Sequence, residues 1–210
     1  MQTATGKKTK EKKSFARNVL EWVCTLLAAL VFALVIRSFV FEFVKVDGAS
    51  MERTLTDGEI MLVTKFDYSS TWLSLPWQDR ESQEQARRIT FGGNPQRFDV
   101  VICRYPGRGA QNFVKRVIGL PGDTVEIRDG ILLVNGDRYE EPYVDDAFRV
   151  PGGSNGYAFG PYTVPEGEYF VMGDHRNNSN DSRAQGSISR DMIVGHVRSV
   201  ISLSGIRGIE

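Results

Sequence analysis

The sequence predicts a mostly β protein that is preceded by one membrane-spanning helix. One long apolar run, Trp22–Ile36, lies near the N-terminus and carries no charge. Beyond it, short segments rich in β-branched and aromatic residues are bounded by Gly, Pro, Asn or Asp, which is typical of strands joined by turns. At 210 residues the chain has room for one sizeable domain and an anchor. Basic and acidic residues number 26 each, so the net charge identifies no class of partner.

Residues 1–17 form a basic tail. Its charged residues are Lys7, Lys8, Lys10, Lys12, Lys13 and Arg17 against only Glu11. The tail lacks interleaved aromatic residues and lies directly before an apolar run, so it is not a nucleic-acid-binding domain. Lysine-rich flanks stay on the cytoplasmic side of a membrane. We therefore expect a cytoplasmic tail and a domain on the outer face of the cell membrane.

The anchor is assigned to residues 18–40, with one transmembrane helix over about residues 19–39. The uncharged run of 15 residues is shorter than the ~20 that span a bilayer. It resumes after Arg37, whose side chain can reach the headgroups while its stem stays in the apolar zone. A cleaved signal peptide would need a cleavage site near Ala49, which lies too far beyond the run. A buried core helix is the other alternative, and the lysine-rich flank argues against it.

Residues 41–210 are assigned to one β-rich domain. The segments with strand character are 60–64, 99–103, 124–127, 131–134 and 168–172. The pairs Asp129-Gly130 and Asn135-Gly136 are typical of tight hairpin turns. We expect no helix of ordinary length in this domain.

Two stretches, 67–97 and 145–163, are interpreted as long loops. The first is a loop insertion that contains Trp72 and Trp77, and the second is rich in Gly, Pro, Ser and Tyr. Long loops in compact domains are usually functional or mobile. The two tryptophans fit either ordinary packing or contact with the outer leaflet, since Trp favours that interface.

Ser50 is the first candidate for chemistry, because it follows Arg37 by only 13 residues and would lie close to a membrane. A serine nucleophile needs a base to take its proton. The chain has two histidines, His175 and His196, of which the second lies in a strand-like context and is interpreted as structural. His175 remains a possible base.

Lys115 is the other candidate base. Its neighbours Phe113, Val114 and Val117 are apolar, and burial lowers the pKa of a lysine so that a neutral amine becomes available. A Ser-x-x-Lys arrangement is absent, because Arg53 stands at that spacing. Cys24 and Cys103 lie in different kinds of segment, so we expect neither a disulfide nor a metal site.

The order of four segments resembles the bacterial type I signal peptidases, of the Gram-positive type, from Arg17 to Val197. After the single anchor come Gly-Ala-Ser-Met-Glu-Arg-Thr-Leu at 48–55, Arg-Phe-Asp-Val-Val-Ile at 97–102, Phe-Val-Lys-Arg-Val-Ile-Gly-Leu-Pro-Gly-Asp at 113–123 and Gly-Asp-His-Arg-Asn-Asn-Ser-Asn-Asp-Ser-Arg at 173–183. The resemblance implies a barrel-like fold of coiled antiparallel sheets.

The same resemblance implies roles for individual residues. Ser50 would be the nucleophile and Lys115 the general base, with Ser179 hydrogen-bonded to that lysine and orienting it. The implied supporting pairs are Asp174 with Arg116 and Asp181 with Arg183, and the Ser50 amide would donate to the oxyanion. The implied substrate-binding residues, which are also plausible core residues, are Val44, Val46, Met51, Leu55, Phe113 and Val114.

The chain departs from the family in four places. Arg53 stands where proline is usual, and Gly48 replaces a hydroxyl residue that some members use as a second oxyanion donor. His175 and Asn177 stand where Asn and Asp are commoner. The spacing of 65 residues from Ser50 to Lys115 is long, and the 67–97 insertion accounts for it.

The implied activity is cleavage of N-terminal signal peptides from secreted preproteins, after small residues in Ala-x-Ala sites. The partners would be secretory preproteins and the phospholipid membrane, with no cofactor, metal or nucleic acid. Two alternatives stay open: a protease of the same fold that is dedicated to pilin-like or accessory preproteins, and a membrane-anchored β-domain without catalysis. The presence of Ser50, Lys115 and Ser179 together favours a catalyst.

Overall fold

The structure is a computed structural model that describes residues 15–72, 88–108, 111–149, 157–202 and 205–209. The chain divides into two compact units, Met1–Arg37 and Ser38–Glu210. Each unit is described separately below.

The N-terminal unit contains most of helix α1, which spans Phe15–Phe39. Within it, Arg17–Ile36 has a mean hydropathy of 2.5 and is long and apolar enough to cross a membrane by length and composition. None of this stretch is buried, and large apolar side chains such as Trp22 and Phe32 are about two-thirds exposed or more. A helix that is apolar on all sides and exposed is typical of a membrane span. This exposure argues against the alternative of a buried core helix.

The second unit is mostly β, as predicted. Its described strands are β1 (Phe41–Lys45), β2 (Ile60–Thr64), β3 (Tyr68–Trp72), β4 (Arg88–Gly92), β5 (Val100–Cys103), β6 (Phe113–Gly119), β7 (Thr124–Arg128), β8 (Ile131–Val134), β9 (Asp137–Tyr139), β10 (Phe159–Thr163), β11 (Glu168–Met172), β12 (Ile188–Ser189), β13 (Ile193–Ser202) and β14 (Gly205–Gly208). One short helix, α2 (Ser182–Gln185), lies between β11 and β12.

The larger sheet is antiparallel in every described pairing and carries the site. Its order is β1-β2-β13-β5-β6-β11-β12, with β14 beside β13. Strand β13 has two register shifts, between Ile193 and Gly195 and between Val197 and Ser199. Such bulges bend a strand and increase its twist, so this sheet curls. Gly195 is required at the first of them, because a Cβ there would lie 2.8 Å from a Val63 methyl group.

The smaller sheet has the order β10-β7-β8-β9. Its two tight hairpins turn at Asp129-Gly130 and Asn135-Gly136, and all four residues have positive φ. This is the backbone conformation that a two-residue turn of this type requires, and the prediction of both turns is confirmed.

The interpretation of 67–97 as a loop was wrong for its two ends, where β3 and β4 pair as an antiparallel ribbon. Such a ribbon is specified by cross-strand pairing, which the local sequence does not reveal. The Trp72 side chain and the whole of Trp77 lie outside the described residues, so the packing and membrane interpretations of these tryptophans stay predictions.

The interpretation of 145–163 as a loop was also wrong in part. A 3₁₀ turn spans Asp146–Arg149, and β10 pairs with β7. Phe159 and Tyr162 of β10 pack against the ring of Phe170, with centroids 5.3 and 5.2 Å away. Tertiary contacts of these aromatic rings outweigh the local turn propensity of the Gly and Pro between them.

Candidate active site

Ser50 lies in a tight turn between β1 and β2. The Leu55 amide donates to the Met51 carbonyl at 2.8 Å, and both side chains are buried in the core of the larger sheet. Gly48 has φ 98°, a conformation that favours glycine, and its amide donates to Asp57 Oδ1 at 2.9 Å. The turn is therefore fixed on both sides of the serine.

Lys115 is brought to this turn by β6, where it pairs with Val101 of β5. Its Nζ lies 2.8 Å from Ser50 Oγ and 2.9 Å from the carbonyl oxygen of Val114. The side chain is only 2% exposed, so almost no water solvates the amine. Ser50 and Lys115, the two residues identified as candidates from the sequence, are thus in hydrogen-bond contact although they lie 65 positions apart in the chain.

Burial lowers the pKa of the Lys115 amine below its usual value, because the ammonium form loses its solvation. Asp181 and Asp174 act in the opposite direction and Arg183 in the same direction as burial. The nearby Cys103 thiol is itself buried, which raises its pKa to about 12. It stays protonated near neutral pH and gives the lysine no counter-charge.

The two histidines are not placed as bases for Ser50. The His175 ring stacks on Phe148 with centroids 3.7 Å apart, and its Nδ1 lies 3.0 Å from Glu52 Oε2. Its contact with Ser50 is made by its backbone amide, which donates to the Ser50 carbonyl at 3.1 Å. His196, in β13, stacks on Tyr68 of β3, in keeping with a structural role.

Arg116 and Asp174 form a buried ion pair beside the serine turn. Arg116 Nη2 and Nε donate to the two carboxylate oxygens of Asp174 at 2.9 and 3.0 Å, and the side chains are 1% and 0% exposed. Thr54, four residues after Ser50, donates its hydroxyl to the same carboxylate. The pair therefore connects β6 and the loop after β11 to the serine turn.

Asp181 and Arg183 form the second predicted pair. Arg183 Nε and Nη2 donate to Asp181 at 2.9 and 2.8 Å, and Asp181 also accepts from the amide of Gly173 at 2.9 Å. Burial alone would raise the pKa of the Asp181 carboxyl, but Arg183 and these hydrogen bonds hold that pKa below its usual value. Asp181 caps α2 at the same time.

Ser179 does not make the predicted hydrogen bond to Lys115. Its Oγ is buried and has no hydrogen-bond partner of standard geometry among the described residues. The hydroxyl lies close enough to Asp181 to help lower the pKa of that carboxyl. It also packs on Gly173 so tightly that a Cβ at that position would overlap Ser179 Oγ and the Ser50 carbonyl. The crowding of these backbones, which the sequence pattern does not show, decides where the hydroxyl lies.

A cavity of about 220 Å³ opens beside Ser50 and Lys115, and both apolar side chains and polar ones such as Asp47, Gln111 and Asn112 line it. The predicted substrate-binding residues all line it: Val44, Val46, Met51, Leu55, Phe113 and Val114. Met61 and Ile102 also line it and were missed, because only the pairing of β2 and β5 with their neighbours brings them there. Three of the predicted residues, Val46, Met51 and Leu55, are core residues as well.

Gly48 leaves the second oxyanion donor unassigned. It has no side chain to donate a hydrogen bond, and its amide already donates to Asp57. Among the described residues, no hydrogen bond takes up the amide of Ser50 itself.

A serine hydroxyl in contact with a buried lysine amine, on a curled antiparallel sheet, is an arrangement suited to a serine peptidase. The sequence comparisons narrow the class further. The family model described as "Signal peptidase, peptidase S26" matches residues 19–202, and the chain belongs to that family.

Named relatives cover most of the chain. Signal peptidase I of Bacillus licheniformis is 38% identical over 192 residues, 89% of this chain and 91% of the relative. Signal peptidase I T of Bacillus subtilis is 38% identical over 194 residues, 90% of this chain and 86% of the relative. A crystal structure of a signal peptidase I from Enterococcus faecalis is 39% identical and covers 50% of this chain and 97% of that one, with a TM-score of 0.43. The chain is thus a serine endopeptidase that cleaves signal peptides.

Proposed function

We propose that Ser50 is the nucleophile and Lys115 the general base of this signal peptidase. The 2.8 Å contact between Lys115 Nζ and Ser50 Oγ carries the proposal. It is supported by the burial of the amine, which favours the neutral form that a base requires.

In the proposed reaction, the neutral Lys115 amine takes the proton of Ser50 Oγ as the oxygen attacks the scissile carbonyl carbon. The backbone amide of Ser50 donates to the resulting oxyanion. The Lys115 ammonium then gives its proton to the leaving nitrogen, and the peptide bond breaks to leave an ester on Ser50. Lys115 next takes a proton from water as the water oxygen attacks the ester carbon, and it returns that proton to Ser50 Oγ as the ester bond breaks and the signal peptide is released.

The supporting residues act by holding this geometry. Arg116 with Asp174 fixes the serine turn through Thr54, and Arg183 with Asp181 fixes Gly173. Each arginine also neutralises a carboxylate that would otherwise stabilise the Lys115 ammonium. Ser179 acts by packing against Gly173 in this arrangement.

The substrate is a secretory preprotein with small residues at positions −1 and −3 before the cut. A cavity of about 220 Å³ suits alanine-sized side chains, and the part of its lining that valine, leucine, methionine and phenylalanine form is apolar. Val44 belongs to β1, which lies at an edge of the larger sheet and can pair with an extended peptide.

The protein is proposed to be anchored once in the cell membrane, with residues 1–17 in the cytoplasm, 18–40 in the membrane and 41–210 outside. The apolar helix and the lysine-rich tail before it support this orientation. Exposed aromatic side chains on the β unit, Phe41, Phe43 and Phe66, support contact with phospholipid. Protease added outside spheroplasts should digest residues beyond 40 and spare the tail. Protection of the C-terminal part would overturn the orientation.

The proposal is tested by incubating the purified full chain in detergent with a preprotein that carries an Ala-x-Ala site. Sequencing of the new N-terminus should show a cut directly after the second alanine, and Ser50→Ala should leave the preprotein intact. A pilin-like preprotein serves as the comparison substrate. Faster cleavage of that substrate would favour the dedicated protease, and cleavage by Ser50→Ala would rule out the nucleophile.

A further inference from the structure

A segment outside the predicted site, residues 140–149, packs against the loop 173–181 that carries Asp174 and Ser179. It follows β9 of the smaller sheet, so it belongs to a different part of the domain. Phe148 stacks on His175, and the Ala147 carbonyl accepts from Asn177 Nδ2 at 3.4 Å. We call residues 140–149 the flanking segment.

The strongest contact of the flanking segment is an ion pair between Glu141 and Arg176. Arg176 Nη1 donates to Glu141 Oε2 at 2.9 Å, and Nη2 donates to Glu141 Oε1 in a second hydrogen bond. Both side chains are 1% exposed. The Tyr143 hydroxyl donates to the same carboxylate at 3.1 Å, and Arg149 Nη2 donates to the Glu141 carbonyl at 2.8 Å.

An ion pair this deeply buried is weak evidence for stability. Removing two charges from water costs several kcal/mol per ion, and apolar residues of similar volume are often neutral or stabilising replacements. A role other than stability is therefore expected for Glu141 and Arg176.

The third nitrogen of the Arg176 guanidinium, Nε, indicates what this role is. Arg176 Nε donates to the carbonyl oxygen of Gly173 at 3.1 Å. Gly173 is the point where the backbone of Ser50 and the side chain of Ser179 meet, since a Cβ there would overlap both. Asp181 holds the amide of Gly173, and Arg176 holds its carbonyl.

We propose that Glu141 is a positioning residue for the catalytic serine, acting through Arg176 and Gly173. The two terminal nitrogens of the Arg176 guanidinium bind the Glu141 carboxylate. This contact fixes the orientation of the guanidinium, so that Nε donates to the Gly173 carbonyl. Gly173 then fixes the position of the Ser50 backbone. The amide of the nearby His175 also donates to the Ser50 carbonyl. Glu141 touches neither the cavity nor Lys115, so it influences turnover without lining the substrate site.

This inference rests on the proposed roles of Ser50 and Lys115. It predicts a particular kinetic signature, because a small displacement of the nucleophile lowers kcat by up to about 100-fold, whereas the cavity that binds substrate is unchanged. The KM should therefore stay within about twofold of the wild-type value.

The decisive variant is the double substitution Glu141→Leu with Arg176→Met in the full chain. It removes both charges together, so its unfolding midpoint should equal or exceed that of the wild type. Its kcat should nevertheless fall by about tenfold or more, because the Gly173 carbonyl has lost its donor. A variant as stable as wild type that also keeps the wild-type kcat overturns the proposal, and so does a loss confined to KM.

The matched control replaces an exposed ion pair of the smaller sheet, Glu126→Leu with Arg128→Met. The Arg128 side chain of that pair is 67% exposed, and the pair lies outside the active site, so kcat and KM should both be unchanged. Equal loss of kcat in the control and in the Glu141 variant would overturn the assignment to Glu141.

Glu141→Gln decides the matter if the double variant folds poorly. It keeps the shape and one acceptor for Arg176, and it should show an intermediate kcat at an unchanged KM. A wild-type kcat in folded Glu141→Gln would overturn the proposal. Ser50→Ala, measured in parallel, separates the two levels: residual cleavage by that variant refutes the nucleophile itself, whereas wild-type behaviour of the Glu141 variants alone refutes only the positioning role.

Discussion

Two lysine side chains are buried among the described residues of the β unit, and their surroundings differ in one respect. Lys65, directly after β2, is 5% exposed, and its Nζ lies 2.9 Å from the carboxylate of Glu42. Lys115, in β6, is 2% exposed and faces the Ser50 hydroxyl and the Val114 carbonyl. Burial is almost equal, but only Lys65 has a carboxylate in contact with its amine.

The difference in surroundings suits only Lys115 to the proposed role of base. A carboxylate at contact distance favours the ammonium form and offsets the cost of burial. Around Lys115, the carboxylates that raise its pKa, Asp174 and Asp181, are bound by Arg116 and Arg183. The arginines largely compensate the negative charge of these carboxylates, so the carboxylates stabilise the Lys115 ammonium only weakly. Burial of the amine therefore lowers the pKa of Lys115.

The largest expected effect comes from replacing each lysine by methionine. Lys115→Met should lower kcat by about 1,000-fold or more, because base and nucleophile act as a unit. Lys65→Met breaks only an ion pair away from Ser50 and should keep kcat within about tenfold of wild type. Preprotein cleavage assays with both folded variants check this. Comparable losses in the two would remove the distinction between the lysines.

Lys115→Arg should be as inactive as Lys115→Met. A guanidinium stays protonated at any pH that the protein tolerates, so it cannot take the serine proton. Cleavage is measured up to the highest pH at which the variant stays folded. Recovery of activity there would show that positive charge, and not a neutral amine, is what the site needs.

Asp174→Asn tests the claim that the arginine pairs compensate the neighbouring carboxylates. It leaves the buried guanidinium of Arg116 without its counter-charge, and we expect a loss of about 3–5 kcal/mol in the free energy of unfolding. The comparison variant is Glu42→Gln. The Glu42 side chain is 28% exposed, so water reaches this pair and the loss should be smaller than for Asp174→Asn. Urea unfolding of both variants checks this, and equal losses would contradict the difference between the two environments.

The smallest expected effect is a change of stability with pH. The folded state disfavours the Lys115 ammonium, so the unfolded chain binds more protons between the lowered pKa and 10.5. The penalty is complete below the folded pKa and disappears as pH rises towards 10.5, so the wild type should gain stability relative to Lys115→Met across that window. Each unit of pKa shift corresponds to about 1.4 kcal/mol. Parallel stability curves for the two proteins would contradict a lowered pKa.

The parts of the fold that the sequence predicted are those with a local signal. Strands β2, β5, β7, β8 and β11 have runs of β-branched and aromatic residues, and Asp129-Gly130 marks its turn by backbone preference. For β13 the sequence predicted only a strand-like context around His196, because Gly195 interrupts the apolar pattern. A Cβ at that glycine would crowd Val63 and the Thr64 carbonyl of the neighbouring strand.

Local sequence signals also predicted part of the candidate site, but not all of it. Ser50 and Lys115 stand in distinctive local patterns, and the apolar neighbours of Lys115 already indicated burial. Glu141 gave no such signal, because its partner Arg176 lies 35 positions away. A glutamate beside another glutamate is typical of a solvent-exposed segment. The position of Ser179 depends on how the Gly173 backbone crowds it, which is a tertiary property.

The most direct measurement is an NMR titration of the Lys115 amine in the full chain in detergent micelles, labelled with ¹³C,¹⁵N-lysine. Lys115→Met assigns its signal, and the Lys65 signal provides the internal comparison. We predict that Lys115 loses its proton below 10.5, at the same pH as the rising limb of kcat/KM. A Lys115 midpoint at or above 10.5 would mean that Ser50 faces an ammonium, and the proposed base would be wrong.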